Sequence, residues 1–281
     1  MILGAGVAFL ASSGKGLWKK NSIGPRRNPA VSSANFSDRD LDGQRPQRQA
    51  EILLERAVNR TSGATDQIDA RVDGWRGKLR WDSQLGNLTS AALNSSDQSV
   101  RTSAIEVQLA AYGLPKNEST VDSLVRQADS SDHAEKIWAL WSLGLLGNRG
   151  FQTERVVQVL TGKVNGTGKD SNEDARRWAV EGLALVGTTP TIAPLLDAMH
   201  NDLSPQVRER AACSLAESGM LTHEQRLIAV PQLINYSDDP ALDGQTHGWA
   251  FQALKDITKQ SLPNDSAAWR SWYQTSAGTG Q

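Results

Sequence analysis

The sequence contains very little cysteine: Cys213 is the only one among 281 residues. A single thiol excludes an intramolecular disulfide and any zinc or iron–sulfur site that needs several cysteine ligands. The apolar run Ile2–Ala11 is only ten residues long, whereas a membrane-spanning helix needs about 18 or more. Strand-like alternation bounded by hairpin turns is missing as well. A net charge of −1 argues against general affinity for nucleic acids.

The N-terminus is apolar and is followed by positive charge. Residues 1–11 match the apolar core of a signal peptide, but the lysines and arginines after them resist translocation. Two interpretations stay open: an export signal or membrane anchor, and a loose apolar tail. The first places the protein at a bacterial inner membrane or in the periplasm, and the second leaves a cytoplasmic location open.

Two short regions precede the main pattern. Residues 12–46 are rich in Ser, Asn, Gly, Pro and Arg and are predicted to be a flexible linker, because they bury too little apolar surface to offset the entropy of ordering. Residues 47–82 are predicted to form N-terminal capping helices. In the second of these, Ile68, Val72 and Trp75 follow the spacing of four and three that places side chains on one helix face.

A helical pattern recurs over residues 83–260. Alanine precedes leucine by four residues at Ala139/Leu143, Ala179/Leu183, Ala211/Leu215 and Ala250/Leu254. The alanines lie 40, 32 and 39 residues apart. Gly147, Gly187 and Gly219 follow three of them at the position expected for a helix C-cap. With an earlier copy at Val100–Ala104 and amphipathic helices in between, the pattern predicts an all-α fold of about five stacked helix pairs.

The segment Asp202–Leu215 resembles the HEAT repeat, in particular the variety found in phycobilisome lyases and many bacterial proteins. Within it, Asp202 lies six residues before Arg208. The same interval separates Asp170 from Arg176. The resemblance implies an α–α superhelix of the HEAT and armadillo type, with a ladder of Asp–Arg contacts between repeats. A fold of this kind does not specify a function.

Residues 261–281 are predicted to be a Trp-rich cap and tail. Trp269, Trp272 and Tyr273 are spaced to share one helix face. The segment resembles the closing segment of bacterial HEAT-repeat proteins. Because the last repeat of a solenoid needs a cap, these aromatic side chains are interpreted as that cap.

The sequence offers no pattern of catalytic or metal-binding residues. His223–Glu224 is a single His–Glu pair, whereas HEAT-type di-iron hydroxylases use several. Cys213 is interpreted as a buried small side chain. Gly162–Gly168 lacks the Gly-Lys-Ser/Thr ending of a phosphate-binding loop. We therefore expect no catalytic residue, no metal and no cofactor.

Four residues at one repeat position are candidates for partner binding. Trp138, Trp178, Arg210 and Trp249 each immediately precede the shared alanine. At about 100° per residue, this position borders the buried stripe of the helix, so its side chain can be half-presented. Trp and Arg are enriched at binding hot spots. The alternative is that each Trp only fills the gap between neighbouring repeats.

These observations predict a non-catalytic protein–protein interaction scaffold, held at a bacterial membrane or in the periplasm. Its partner is expected to be another protein and not a nucleic acid. The alternative is an enzyme-like HEAT protein such as a chromophore (phycobilin) lyase, which needs a pocket for a tetrapyrrole.

Overall fold

The computed structural model describes residues 38–165 and 168–278, and within these ranges all regular structure is helical. The helices are α1 (Asp38–Asp42), α2 (Pro46–Val58), α3 (Ala64–Trp75), α4 (Ser83–Leu93), α5 (Gln98–Ala111), α6 (Glu118–Gln127), α7 (His133–Asn148), α8 (Thr153–Val164), α9 (Glu173–Val186), α10 (Ile192–Asn201), α11 (Pro205–Ala216), α12 (His223–Leu227), α13 (Val230–Tyr236), α14 (Gly244–Thr258) and α15 (Ser266–Gly278). A 3₁₀ turn, Thr189–Thr191, leads into α10. The prediction of an all-α fold is confirmed for the described residues.

The first five helices share one hydrophobic cluster. Its buried side chains include Leu41 of α1, Ile52 of α2, Ile68 of α3, Leu85 of α4 and Val107 of α5. Helix α5, predicted as an early repeat copy, packs extensively on α2, α3 and α4. The predicted boundary between capping helices and repeats, at residue 82, therefore falls inside one cluster.

The N-terminal predictions are only partly within the described residues. The expected signal or anchor at residues 1–11 and most of the linker at 12–46 lie outside them. Helix α1 falls at the end of that linker, and Leu41 is fully buried. No helix in the described ranges combines the length and the apolar character needed to cross a membrane.

From α6 onward the helices pack in pairs. Helix α6 pairs with α7, α8 with α9, α10 with α11, and α13 with α14. The second members of the pairs, α7, α9, α11 and α14, pack extensively on one another, and we call them the tight layer. The first members, α6, α8, α10 and α13, have fewer contacts with each other and are called the loose layer.

Small side chains allow the tight layer to pack closely. The repeated alanines and leucines are all fully buried: Ala139, Ala179, Ala211, Ala250, Leu143, Leu183, Leu215 and Leu254. Helices α7 and α9 approach each other closely where two glycines meet, since a Cβ on Gly144 would lie 2.7 Å from the Cα of Gly182. Real Cβ atoms do not approach that closely, so neither position accepts alanine without a shift of the helices.

The prediction that a glycine forms the helix C-cap is confirmed at one of the three glycines. Gly187 is the C-cap of α9 and has a left-handed backbone with φ of 62°. Gly147 lies inside α7, where a Cβ would come within 2.9 Å of Val156. Gly219 follows the C-cap residue of α11 by two positions, and its Cβ would lie 2.4 Å from the carbonyl oxygen of Ala184. The C-cap prediction is wrong for Gly147 and Gly219, because both are required by close packing.

Charged contacts connect successive helices of the tight layer. They join Lys136 to Asp170 (2.8 Å), Arg176 to Asp202 (2.8 and 3.0 Å) and Arg208 to Asp243 (2.6 Å). Each aspartate lies just before the next helix of the layer. The Asp–Arg ladder that the HEAT resemblance implies is thus present for Arg176 and Arg208, and Lys136 makes the equivalent contact between α7 and α9.

Helix α15 closes the described chain by packing on α13. Trp269 is fully buried and donates its indole N–H to the carbonyl oxygen of Pro263 at 3.0 Å. Trp272 packs edge-on against it at 5.7 Å. Arg270 pairs with Asp238 at 2.7 Å and ties α15 to the end of α13.

Candidate protein-interaction surface

The four candidate binding residues lie on the four helices of the tight layer. Trp138 is on α7, Trp178 on α9, Arg210 on α11 and Trp249 on α14. Because these helices are neighbours in this order and the residues share one repeat position, the side chains form a row across the layer. We call this row and the side chains one turn further along each helix the Trp/Arg face.

Exposure differs along the row. Trp138, Trp178 and Arg210 are half-buried, as the position beside the buried alanine predicts. Trp249 is only 6% exposed and packs as a core residue. The packing interpretation thus fits Trp249 best, and the binding interpretation fits the other three.

The α7 end of the face is an aromatic cluster. The ring of Tyr112 stacks on Trp81 with centroids 4.9 Å apart and meets Trp138 edge-on at 4.9 Å. Trp141, one turn after Trp138, contacts both Tyr112 (5.2 Å) and Trp138 (5.4 Å). Burial raises the pKa of the Tyr112 hydroxyl to about 12, so it is neutral at physiological pH. Trp81, Tyr112 and Trp138 are all half-buried, so the cluster presents aromatic surface.

At the centre of the face, charged groups hold the row in place. The Arg177 guanidinium carbon lies 5.9 Å from the centroid of the Trp178 ring, within the range of a cation–π contact. Arg210 forms an ion pair with Glu181, which lies one turn after Trp178, and both side chains are partly exposed. The pair bridges α9 and α11. It holds the Arg210 guanidinium in place, which lowers the entropy lost when a partner binds.

The α11 and α14 end of the face is acidic. Cys213 lies one turn after Arg210, and burial raises the pKa of its thiol to about 12. Arg210 opposes this shift, while the carboxylates of Glu209, Glu217 and Asp256 add to it. These three carboxylates therefore act electrostatically on the Cys213 thiol.

Sequence reasoning missed several members of this surface. Trp81 lies just before α4 and Tyr112 is the C-cap residue of α5, and their place beside α7 depends on long-range packing that periodicity does not predict. Trp141, Glu181 and Cys213 all lie three residues after a member of the row. Residues three apart are neighbours on the helix surface, so these three members of the face could have been predicted from the sequence.

The described residues contain no group of three or more His, Cys, Asp or Glu side chains placed to hold a metal ion. His223 and Glu224 are both exposed at the start of α12. Among the cavities of the described residues, one of about 370 Å³ is lined by the end of α14 and the turn to α15, and another of about 240 Å³ lies between α3 and α5.

Comparisons with known proteins add no relative. No family model matches the chain, and no curated protein is similar to it. The likeness to HEAT repeats therefore stays a resemblance, carried by the residues quoted above and by the pairwise helix packing.

Proposed function

We propose that this protein is a non-catalytic scaffold for protein–protein interaction, built as an α–α superhelix of the HEAT type. Two features support the superhelix: the regular pairing of α6 to α14, and the ladder contacts between successive pairs. Stacked helix pairs of this kind present long continuous surfaces that bind other proteins.

The observation that carries the proposal is the Trp/Arg face. Trp138, Trp178 and Arg210 are half-buried on consecutive helices of the tight layer, so each has a fixed base and an accessible edge. Large side chains held in place lose little entropy on binding, which is the property of hot-spot residues. The partner is another protein that contacts this face.

The double variant W178A/R210A tests the proposal. We expect it to lose capture of the partner from a native extract, while its free energy of unfolding falls by less than about 2 kcal/mol, since both side chains are partly exposed. For comparison, removal of the fully buried Trp269 should cost roughly 3–5 kcal/mol.

The matched control is W272A/R270A, which removes the same residue types from α15. This control should capture the partner as the unaltered chain does. Equal capture by W178A/R210A and by the control would refute the binding role of the row. Early melting of W178A/R210A would assign the row to packing.

We further propose, from the N-terminal sequence, that the scaffold is held at a bacterial membrane or in the periplasm. Fractionation of cells that express the full chain tests this location. Recovery in the cytosolic fraction alone would refute the proposed membrane anchor. The alternative function, a phycobilin lyase, has no specific observation in its favour. A shift in the absorbance of a bilin when the protein is added would support the lyase function.

A further inference from the structure

We propose that the protonated form of His200 connects two neighbouring helix pairs of the array, and that this connection weakens as the pH rises. His200 lies in the last turn of α10, and its ring reaches the loop between α13 and α14, which belongs to the next pair. Because the helices of the loose layer have fewer contacts with each other than those of the tight layer, one polar contact has more influence there.

Both ring nitrogens of His200 face acceptor atoms. Nε2 lies 3.0 Å from a carboxylate oxygen of Asp239, and Nδ1 lies 2.7 Å from the side-chain oxygen of Asn201. The amide of Asn201 is held in one orientation, because its nitrogen donates to the Asp197 carboxylate at 2.6 Å. Its oxygen therefore faces the imidazole, and like the Asp239 carboxylate it can only accept a hydrogen bond.

This arrangement favours the imidazolium over the neutral ring. A neutral imidazole has one N–H and one lone pair, so it satisfies only one of the two acceptors and places its lone pair against the other. The imidazolium donates to both oxygens, and its charge is complemented by Asp239 and by the negative end of the α10 dipole. His247 differs, because its Nε2 meets only the backbone carbonyl oxygen of Asp239 at 2.8 Å, and the single N–H of a neutral ring satisfies this contact.

Carboxylates act on the His200 ring from two elements. Asp197 lies one turn earlier on α10, and Asp239 lies on the loop after α13. The Tyr236 ring of α13 packs against the imidazole with centroids 4.8 Å apart, and its hydroxyl donates to the carbonyl oxygen of Leu196 at 3.3 Å. Helices α8, α9 and α11 also pack on α10, but among the described residues none of them forms a hydrogen bond or an ion pair with the ring.

The sign of the pH dependence follows from these contacts. Burial alone would lower the His200 pKa, but the hydrogen bonds with Asn201 and Asp239 outweigh it, so the pKa lies above its usual value of 6.5. Asp238 is paired with Arg270 of α15 at 2.7 Å, which neutralises that cation. A raised folded pKa gives stability that is fully present below the unfolded pKa and is lost as the pH rises through the folded pKa. The contact is therefore strongest at mildly acidic pH.

NMR titration of the histidine rings in the full chain tests the protonation. We expect His200 to titrate at a higher pH than the exposed His223. The variant D239N should lower the midpoint of His200, because it removes the carboxylate that stabilises the imidazolium. The matched control is D174N, which removes a carboxylate 3.6 Å from His133 and should leave the His200 midpoint unchanged.

Hydrogen exchange measures the connection itself. After correction for intrinsic exchange, we expect the protection of residues 237–243 to fall by at least about threefold between about pH 5.5 and about pH 8. The variant H200Q should abolish this pH dependence, whereas the control H223Q should retain it. A His200 midpoint at or below that of His223, an unchanged midpoint in D239N, or the same pH-dependent protection in H200Q would each overturn the proposal.

Discussion

Among single residues, Cys213 shows how burial changes the ionisation of a side chain. It lies in the buried stretch of α11, where its thiol is 6% exposed. Burial and the carboxylates of Glu209, Glu217 and Asp256 disfavour a thiolate, and the nearby Arg210 does not compensate. Since the thiolate is the reactive form of cysteine, this environment disfavours reaction of the thiol and agrees with a role in packing. The sequence context, two alanines before Cys213 and a serine after it, predicts the burial that the structure shows.

We predict that Cys213 reacts very slowly with thiol reagents. With a pKa of about 12, only a small fraction of the thiol is ionised at pH 8, whereas an unfolded thiol with a pKa of about 8.5 is partly ionised. Labelling of the native protein at pH 8 should be at least about 100-fold slower than labelling in denaturant. Rapid labelling of the native chain would show that the α11–α14 contact opens.

Among the helical elements, the ladder between α9 and α11 is the best-defined contact. Asp202 is buried and accepts bonds from Arg176, from Lys169 at 3.1 Å and from the Ser204 N–H at 2.8 Å. Burial alone would raise the Asp202 pKa, but these bonds outweigh it, so the pKa lies below its usual value. A lowered pKa in the folded state gives stability that is present above the unfolded pKa and lost as pH falls through the folded one.

The variant D202N tests this contact. At pH 7 it leaves the buried Arg176 without its anionic partner, and we expect the free energy of unfolding to fall by about 3 kcal/mol or more. The loss should shrink as the pH falls below the unfolded pKa of about 3.9 and through the lower pKa of folded Asp202, because the unaltered chain then loses the same interaction. Denaturant titrations at the two pH values measure both effects.

The control for D202N is D174N, because Asp174 makes exposed contacts with Arg177 and His133. It should change the free energy of unfolding by less than about 1 kcal/mol. A D202N loss as small as that of D174N, or one independent of pH, would contradict the assigned role of the ladder.

A structural feature of these helices can be predicted from the sequence when the residues that produce it are close together in the chain. The capping box of Thr222 and Gln225 is predictable and is present, because it needs only four consecutive residues. The C-cap prediction fails at Gly147, which is needed for the close contact with Val156. In the sequence, a glycine needed for packing cannot be distinguished from a glycine that ends a helix. The positions of the row follow from the repeat, whereas the place of Tyr112 beside Trp138 depends on how separate helices pack.

At the scale of the whole molecule, the described residues form an N-terminal cluster, α1 to α5, and a paired array, α6 to α14. Polar contacts link the two. Glu106 of α5 is 3% exposed and binds both Lys116 and Arg149. Gln98 and Arg101, at the start of the same helix, donate to the carbonyl oxygens of Met220 and Leu221. Together with the aromatic cluster, these contacts connect the start of α5 to the segment that follows α11 and its C-terminal half to α7.

This arrangement predicts that the variant E106A/Y112A uncouples the cluster from the array. Glu106 contacts Arg149 at the end of α7 and Tyr112 contacts Trp138, so their removal weakens the junction while most of each hydrophobic core stays intact. We expect hydrogen exchange to rise in α2 to α5 under mild denaturant while α9 to α14 stay protected, as two cooperative units with different stabilities would show. The control R155A, which removes an exposed pair with Asp122, should leave the exchange pattern unchanged. If the cluster and the array of E106A/Y112A exchanged together at one denaturant concentration, the protein would be a single cooperative unit, and the junction would not be its weakest point.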